Sequence, residues 1–275
     1  MSSNIVGILG DTHGQQRWTR YALWEYSQRG IDTVYQVGDF GFGKSNSGKS
    51  DPFSLFVNDV AKSFGIRVVV VPGNHEDYDV IESVPVSEDG WQHYMSNIDI
   101  APRGHRWSQE GVSFVALGGA PSVDRMWRLS QQRPNMKLWW HQEAITEEDV
   151  EKTVAGGHAD VMLAHDAPFV QQIQKVIGHN PHGFPQADIE YAYEGRKLID
   201  KAFSAVKPKV FVHGHYHFNV DETVNWNDSE SRVFGLDRDG TAGAIGFLDL
   251  DTLDVTLISG TDFAIGINKY QRGRH

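Results

Sequence analysis

The sequence predicts an α/β protein with two layered sheets, and three observations predict it. Apolar, β-branched runs alternate with helix-like stretches through the first third of the chain. Several of these runs hand over directly to a short motif of Gly, Asp, Asn or His. Beyond Phe218 the pattern turns all-strand. Buried runs separated by helices argue for βαβ units in a sheet covered on both faces. The all-strand end argues for a second sheet layered on the first.

In chain order, residues 5–9 read as a buried strand. Trp18, Tyr21, Ala22, Trp24 and Glu25 lie in a helix-like stretch ending near Gly30. Residues 33–37 form the next strand, and Phe53, Leu55, Phe56, Val57 and Val60 suggest a helix. Residues 66–71, β-branched apart from Arg67, read as a strand ended by Pro72-Gly73. From about 77 to 159 the pattern loosens into an irregular, cap-like segment that holds five of the eight Trp and many Arg. Within it, 112–117 reads as a strand and Thr146-Glu147-Glu148-Asp149 as a helix start with acidic residues in its first turn. Residues 161–164 return to the sheet, 187–206 read as a helix and 208–212 as a strand. Two further strands follow at 244–250 and 253–258, and 269–275 reads as a frayed basic tail. With no internal repeat and no linker, residues 1–275 read as a single domain.

The chain has 275 residues, 40% of them hydrophobic and 11% aromatic, enough for one large domain with a sizeable core. A formal net charge of -11 argues against an extended nucleic-acid surface. An acidic protein can still bind phosphates where metals and a few Arg make a cleft locally positive. There are no cysteines, so any metal is held by N and O donors, and the composition fits a reducing cytoplasm. Met1-Ser2-Ser3-Asn4 runs straight into a strand without a basic region or a long apolar stretch, so no secretory signal is expected. No apolar segment is long enough to span a bilayer.

Five motifs carry the chemistry: Asp11-Thr12-His13-Gly14, Gly38-Asp39, Gly73-Asn74-His75-Glu76, the lone His165, and Gly214-His215-Tyr216-His217. Each follows a strand-like run, which is where open α/β sheets place their ligand sites. Asp11 and His13 are two apart, so both can reach one ion, and His215 and His217 repeat the arrangement. Asp39 can bridge two cations, and Asn74 offers an amide oxygen without adding charge. Several imidazoles, a neutral amide and a bridging carboxylate are what a dinuclear hydrolytic site needs. Taken singly, each residue has a bland reading, an Asp capping a helix or a structural His. Five motifs in strand-end order outweigh it.

Substrate-side candidates lie in the middle segment, where Arg103, Arg106, Arg125 and Arg128 occur among Trp107 and Trp127. Arg with aromatic neighbours suits a phosphate bearing a stacked base, although such neighbours often just cover core edges. Tyr216 sits between two candidate ligands. His213 and Trp139-Trp140 read as structural. Residues 43–50 match the phosphate-loop pattern G-x-x-x-x-G-K-S, but Asp39 and several glycines separate them from the strand, and the helix starts late, at Asp51-Pro52. The stretch therefore reads as a flexible loop.

The ordered set resembles the calcineurin-like metallophosphoesterase family, whose pattern is D-x-H, GD, GNH, H and GH-x-H, from about residue 5 to 260. The resemblance implies an αββα sandwich of two mixed sheets flanked by helices, around two divalent metal ions. It implies that Asp11, His13, Asp39 and His217 bind the first ion and that Asp39, Asn74, His165 and His215 bind the second, with Asp39 bridging. His75 would be the unligated His that contacts the phosphate and protonates the leaving oxygen. Mn²⁺ is the first expectation, with Fe or Zn²⁺ as alternatives. The protein-phosphatase branch follows its GD with Asp-Arg, whereas this chain has Gly38-Asp39-Phe40-Gly41, although Glu76 matches the GNHE form. The implied activity is metal-dependent hydrolysis of phosphate esters, with a phosphodiesterase on small or cyclic nucleotide-like substrates first. The alternative is a phosphomonoesterase, phosphoprotein phosphatases included. An inactive binding scaffold should lack a ligand or His75, and none is missing.

Overall fold

The structure, a computed structural model, describes residues 4–43 and 51–272. All but Gly43 of the phosphate-loop-like stretch lies outside the described residues. Thirteen strands among the described residues divide into two mixed sheets. The first runs β13 (Val255–Leu257), β12 (Ile245–Asp249), β1 (Ile5–Leu9), β2 (Thr33–Gln36), β3 (Arg67–Val70), β5 (Ile98–Ile100), β4 (Gln92–Met95). The second runs β10 (Val220–Asn225), β11 (Glu230–Gly235), β9 (Val210–His213), β8 (Val161–Ala164), β7 (Val112–Leu117), β6 (Arg106–Gln109).

Period-two alternation sorts the apolar residues into three layers. Val6, Ile8, Tyr35, Val37, Val69 and Val71 face Phe114, Ala116, Leu163, Val212 and Phe234 between the sheets. The opposite face of the first sheet, with Leu9, Val34, Val68 and Val70, packs on α1 (Gln16–Ser27), α2 (Pro52–Phe64) and α8 (Gly260–Arg272). The opposite face of the second, with Val115, Leu117, Met162 and Phe211, packs on α5 (Glu147–Val154), α6 (Gln171–Ile177) and α7 (Gln186–Val206). The layering is helix, sheet, sheet, helix, the metallophosphoesterase fold.

Local chemistry sets the helix ends. Asp51 caps α2 by accepting from the amides of Phe53 and Ser54, and Gly65 closes it with φ 68°. Thr146 and Asp149 form a reciprocal capping box at the start of α5. Among the described residues, no helix is long and apolar enough to cross a membrane.

Three expectations change. Much of 77–159 is not a cap: β4 and β5 extend the first sheet and β6 and β7 extend the second. The remaining cap consists mainly of α4 (Arg125–Gln131), a short 3₁₀ turn (His141–Glu143) and their connections. The last two strands belong to the first sheet, because β12 pairs antiparallel with β1 (Val6 opposite Leu248). Residues 269–272 are helical, because Phe263 and Tyr270 of α8 pack against Tyr21, with Trp18 and Trp24 beside them.

Candidate metal centre

Five strands of the parallel cores deliver the motifs to one edge of the sandwich. Asp11 follows β1, Asp39 follows β2 and Asn74 follows β3, all in the first sheet, while His165 follows β8 and His215 follows β9 in the second. His13, Asp39, His215 and His217 all adopt positive φ, at 45°, 51°, 71° and 58°. Such conformations cost free energy in a non-glycine residue and persist only where the surroundings enforce them. Close approach explains the motif glycines. A Cβ on Gly73 would lie 2.3 Å from Asp39 Oδ1, and one on Gly214 would lie 2.1 Å from Asp11 Oδ1.

Asp11, His13, Asp39 and His217 each offer one donor atom, all within 4.8 Å of one another. His217 Nε2 is 3.1 Å from Asp11 Oδ2, and His13 Nε2 is 3.5 Å from Asp39 Oδ2. The other oxygen of Asp39 faces away from this group, 3.2 Å from His165 Nε2. His165 Nε2 also lies 2.9 Å from Asn74 Oδ1, and the His215 ring stands 4.9 Å from that of His165. Backbone groups hold the frame: His165 Nδ1 is 2.8 Å from the Val37 carbonyl, and the His75 amide donates to Asp39 Oδ1 at 2.9 Å.

The charges define what the cluster accepts. Burial would raise Asp39, but His165, His75 and His13 outweigh it and hold its carboxyl well below the usual range. Burial pushes Asp11 up, with His217 and His165 opposing. Burial would lower His165, yet Asp39 and Asp11 lift it to about 10. Burial and the neighbouring His165 keep His215 well below its ordinary value, and so neutral. Two buried carboxylates that draw a proton onto a buried imidazole call for positive charge. The donors are all N and O, so the cluster fits divalent cations.

His75 is half-exposed at the rim, its Nε2 3.9 Å from Asp39 Oδ2. Arg128 touches it: one guanidinium nitrogen lies 2.5 Å from Nε2, another donates to the Asn74 carbonyl at 3.0 Å, and Asp124 braces Arg128 at 2.7 Å. The other substrate-side candidates are engaged by other partners, although the Tyr216 ring stands 4.9 Å from that of His215. Arg103 spends its donors on the carbonyls of Gly118, Gln142, Glu143 and Ala144 and on Asp149. Arg106 is bound to the carbonyls of Thr153, Gly157 and His158. Arg125 lies over the Tyr191 ring, 3.5 Å from the buried Asp188. Tyr216 gives its hydroxyl to Asp166 at 2.7 Å.

Two contributors have roles that the sequence does not assign. Asp239 Oδ1 lies 2.9 Å from His13 Nδ1 and orients that ring. Nothing in Arg238-Asp239-Gly240 marks it out. Glu76 is fully buried and accepts from the amides of Phe40, Gly41 and Phe42 at 2.6, 2.8 and 2.9 Å, which pins the turn after Asp39. Its place in the Gly73-Asn74-His75-Glu76 motif was the available signal.

Fold and site together define a metallophosphoesterase. The chain belongs to the calcineurin-like phosphoesterase family, whose sequence model matches residues 5–219. Its fold is similar to that of TT1561 of Thermus thermophilus, at 11% identity and TM-score 0.56, covering 94% of this chain and 99% of that one. It is also similar to a dimetal phosphatase from Danio rerio, at 15% identity and TM-score 0.56, covering 91% of this chain and 93% of that one. At such identities the likeness speaks for the fold alone. Comparison with curated proteins finds no match. Family membership and the Asp/His cluster together support metal-dependent hydrolysis of phosphate esters.

Proposed function

We propose that this protein is a phosphodiesterase acting on small, nucleotide-like phosphodiesters at a two-ion site. Asp11, His13, Asp39 and His217 would hold one ion; Asp39, Asn74, His165 and His215 would hold the other. The observation that carries this reading is the split of Asp39, whose Oδ2 faces His13 while its Oδ1 faces His165. A carboxylate with one oxygen in each donor group is placed to bridge. When bound, two divalent ions polarise the phosphoryl oxygens and make a water nucleophilic near neutral pH. Mn²⁺ is the ion we name first, and Fe or Zn²⁺ suits the same donors.

The chain's own residues supply the rest. His75 stands at the open rim, where its imidazole can pass a proton to the leaving oxygen. Arg128 lies 2.5 Å from Nε2 and 3.2 Å from Nδ1 of His75 and holds the ring at the rim. Among the described residues, Arg128 is the single guanidinium seen touching the site, and Asp124 already offsets its charge. Gly38-Asp39 is followed by Phe40-Gly41 and not by the Asp-Arg of the protein-phosphatase branch, which favours a small diester over a phosphoprotein.

The test compares turnover of bis-p-nitrophenyl phosphate and p-nitrophenyl phosphate by the Mn²⁺-loaded protein, with His75→Ala as control. Faster cleavage of the diester, lost in His75→Ala, is the expected result. Faster cleavage of the monoester would replace this reading with a phosphomonoesterase. No turnover of either substrate with two ions bound would point to a binding protein.

A further inference from the structure

The side-chain amide of Asn74 could be packed in two orientations, and only one presents oxygen to an ion. We infer that Ser122 and Glu143 are positioning residues that fix the polarity of this amide, so that the cap sets the affinity of the ion Asn74 holds. The inference rests on the two-ion reading above.

Asn74 is 3% exposed, and Ser122 and Glu143 are fully buried. Asn74 Nδ2 donates to Ser122 Oγ at 2.9 Å, and the Ser122 hydroxyl donates to Glu143 Oε2 at 2.7 Å. Glu143 Oε1 accepts from the Ser122 amide at 2.7 Å and from Trp139 Nε1 at 2.9 Å. The chain of donors has one direction. Above about pH 7, where the Glu143 carboxyl is ionised, it only accepts; a hydroxyl has one hydrogen, and that hydrogen goes to Glu143. The lone pairs of Ser122 are then left for Asn74, which must offer them its NH₂ group. The amide oxygen is thereby turned toward the ligand cluster, 2.9 Å from His165 Nε2. Arg128 holds the backbone of the same residue through the Asn74 carbonyl. Neither Ser122 nor Glu143 belongs to a ligand motif. Both come from the segment between β7 and α5, so a part of the chain without ligands controls how one ligand points.

Glu143→Gln separates this role from plain packing, because it keeps the shape and reverses the donor order. The new amide must point a donor at Ser122. The hydroxyl then either loses its acceptor or turns on Asn74 and presents NH₂ to the ion. The full-length protein, stripped of metal, would be titrated with Mn²⁺ by calorimetry at about pH 8, where Glu143 is ionised, alongside Glu143→Gln, Ser122→Ala and Glu143→Asp. Melting of each metal-free variant reports its fold. The expected result is that Glu143→Gln and Ser122→Ala weaken one of two Mn²⁺ sites about 10–100-fold and leave the other within about twofold, while Glu143→Asp restores most of the loss. Folded variants that bind both ions as the parent does, or that lose both equally, would overturn the inference and leave the two-ion reading standing. A parent protein that binds fewer than two ions would overturn that reading, and the inference with it.

Discussion

Replacing Glu76 by Gln exchanges one atom of a buried side chain and takes away an acceptor. Oε2 now receives the amides of Gly41 and Phe42, and Oε1 receives that of Phe40. A Gln can keep its oxygen toward only one of these groups. If it serves Gly41 and Phe42, its NH₂ confronts the Phe40 amide, which stands 2.6 Å from Oε1 in the parent. An unsatisfied buried amide costs about 1–3 kcal/mol, and each bond to a neutral rather than a charged acceptor loses roughly 1 kcal/mol. Burial and the charge of Asp39 both push the Glu76 carboxyl up, so neutralising it returns part of this loss. The expected net effect is a destabilisation of about 2–4 kcal/mol. Urea unfolding of the metal-free protein reads it directly. Because Phe40 follows Asp39, Mn²⁺ binding should weaken as well. A stability change below about 0.5 kcal/mol with unaltered Mn²⁺ affinity would refute the assignment of Glu76 as the clamp on this turn.

Two further expectations concern packing and pH. Gly214→Ala places a Cβ 2.1 Å from Asp11 Oδ1 and 3.1 Å from the Val37 carbonyl, so Asp11 must move. Turnover should fall about 100-fold with circular dichroism preserved, and unaltered turnover would contradict the close-packing argument. Burial pushes the Glu143 carboxyl up to about 7 from an unfolded value of 4.5. Between those values the native chain holds a proton that the unfolded chain has lost. Its contribution is therefore full below the unfolded value and is lost as pH rises through 7, by about 3 kcal/mol. Unfolding midpoints of the parent and Glu143→Gln at about pH 5 and about pH 8 should show a smaller pH difference in the variant. An equal difference would remove Glu143 as its source.

What could be read from sequence follows physical lines. β8 is buried throughout and β7 is buried but for Ser113, so both appear as almost continuous apolar runs whose limits match the folded strands. Gln92–Met95, Ile98–Ile100 and Arg106–Gln109 are short strands at or near sheet edges with mixed polarity, and only their partners make them strands. That β12 lies beside β1 depends on a distant pairing which no local pattern encodes. At the site, the motif residues were visible because strand ends carry them in a fixed order. Asp239 and Ser122 were not, because an orienting hydrogen bond imposes no spacing on the sequence. Of four candidate arginines only Arg128 reaches the site; whether the others could was decided by carbonyls and carboxylates far along the chain, which take up their donors first.

The candidate ligands come from two sheets that meet largely through a layer of aliphatic and aromatic side chains. Asp11, His13, Asp39 and Asn74 travel with the first sheet, and His165, His215 and His217 with the second. Val37 and Leu163 lie in the layer between, each a short step along its strand from a ligand. The distance from Asp39 to His165 is therefore a gauge of how the two layers seat on each other. A methyl group added or removed well inside the protein would shift that gauge by a fraction of an ångström, and chemistry so dependent on placement would respond before stability gave warning. Ordinary core substitutions in this layer are thus a route by which the reaction can be tuned without touching any residue that meets the substrate.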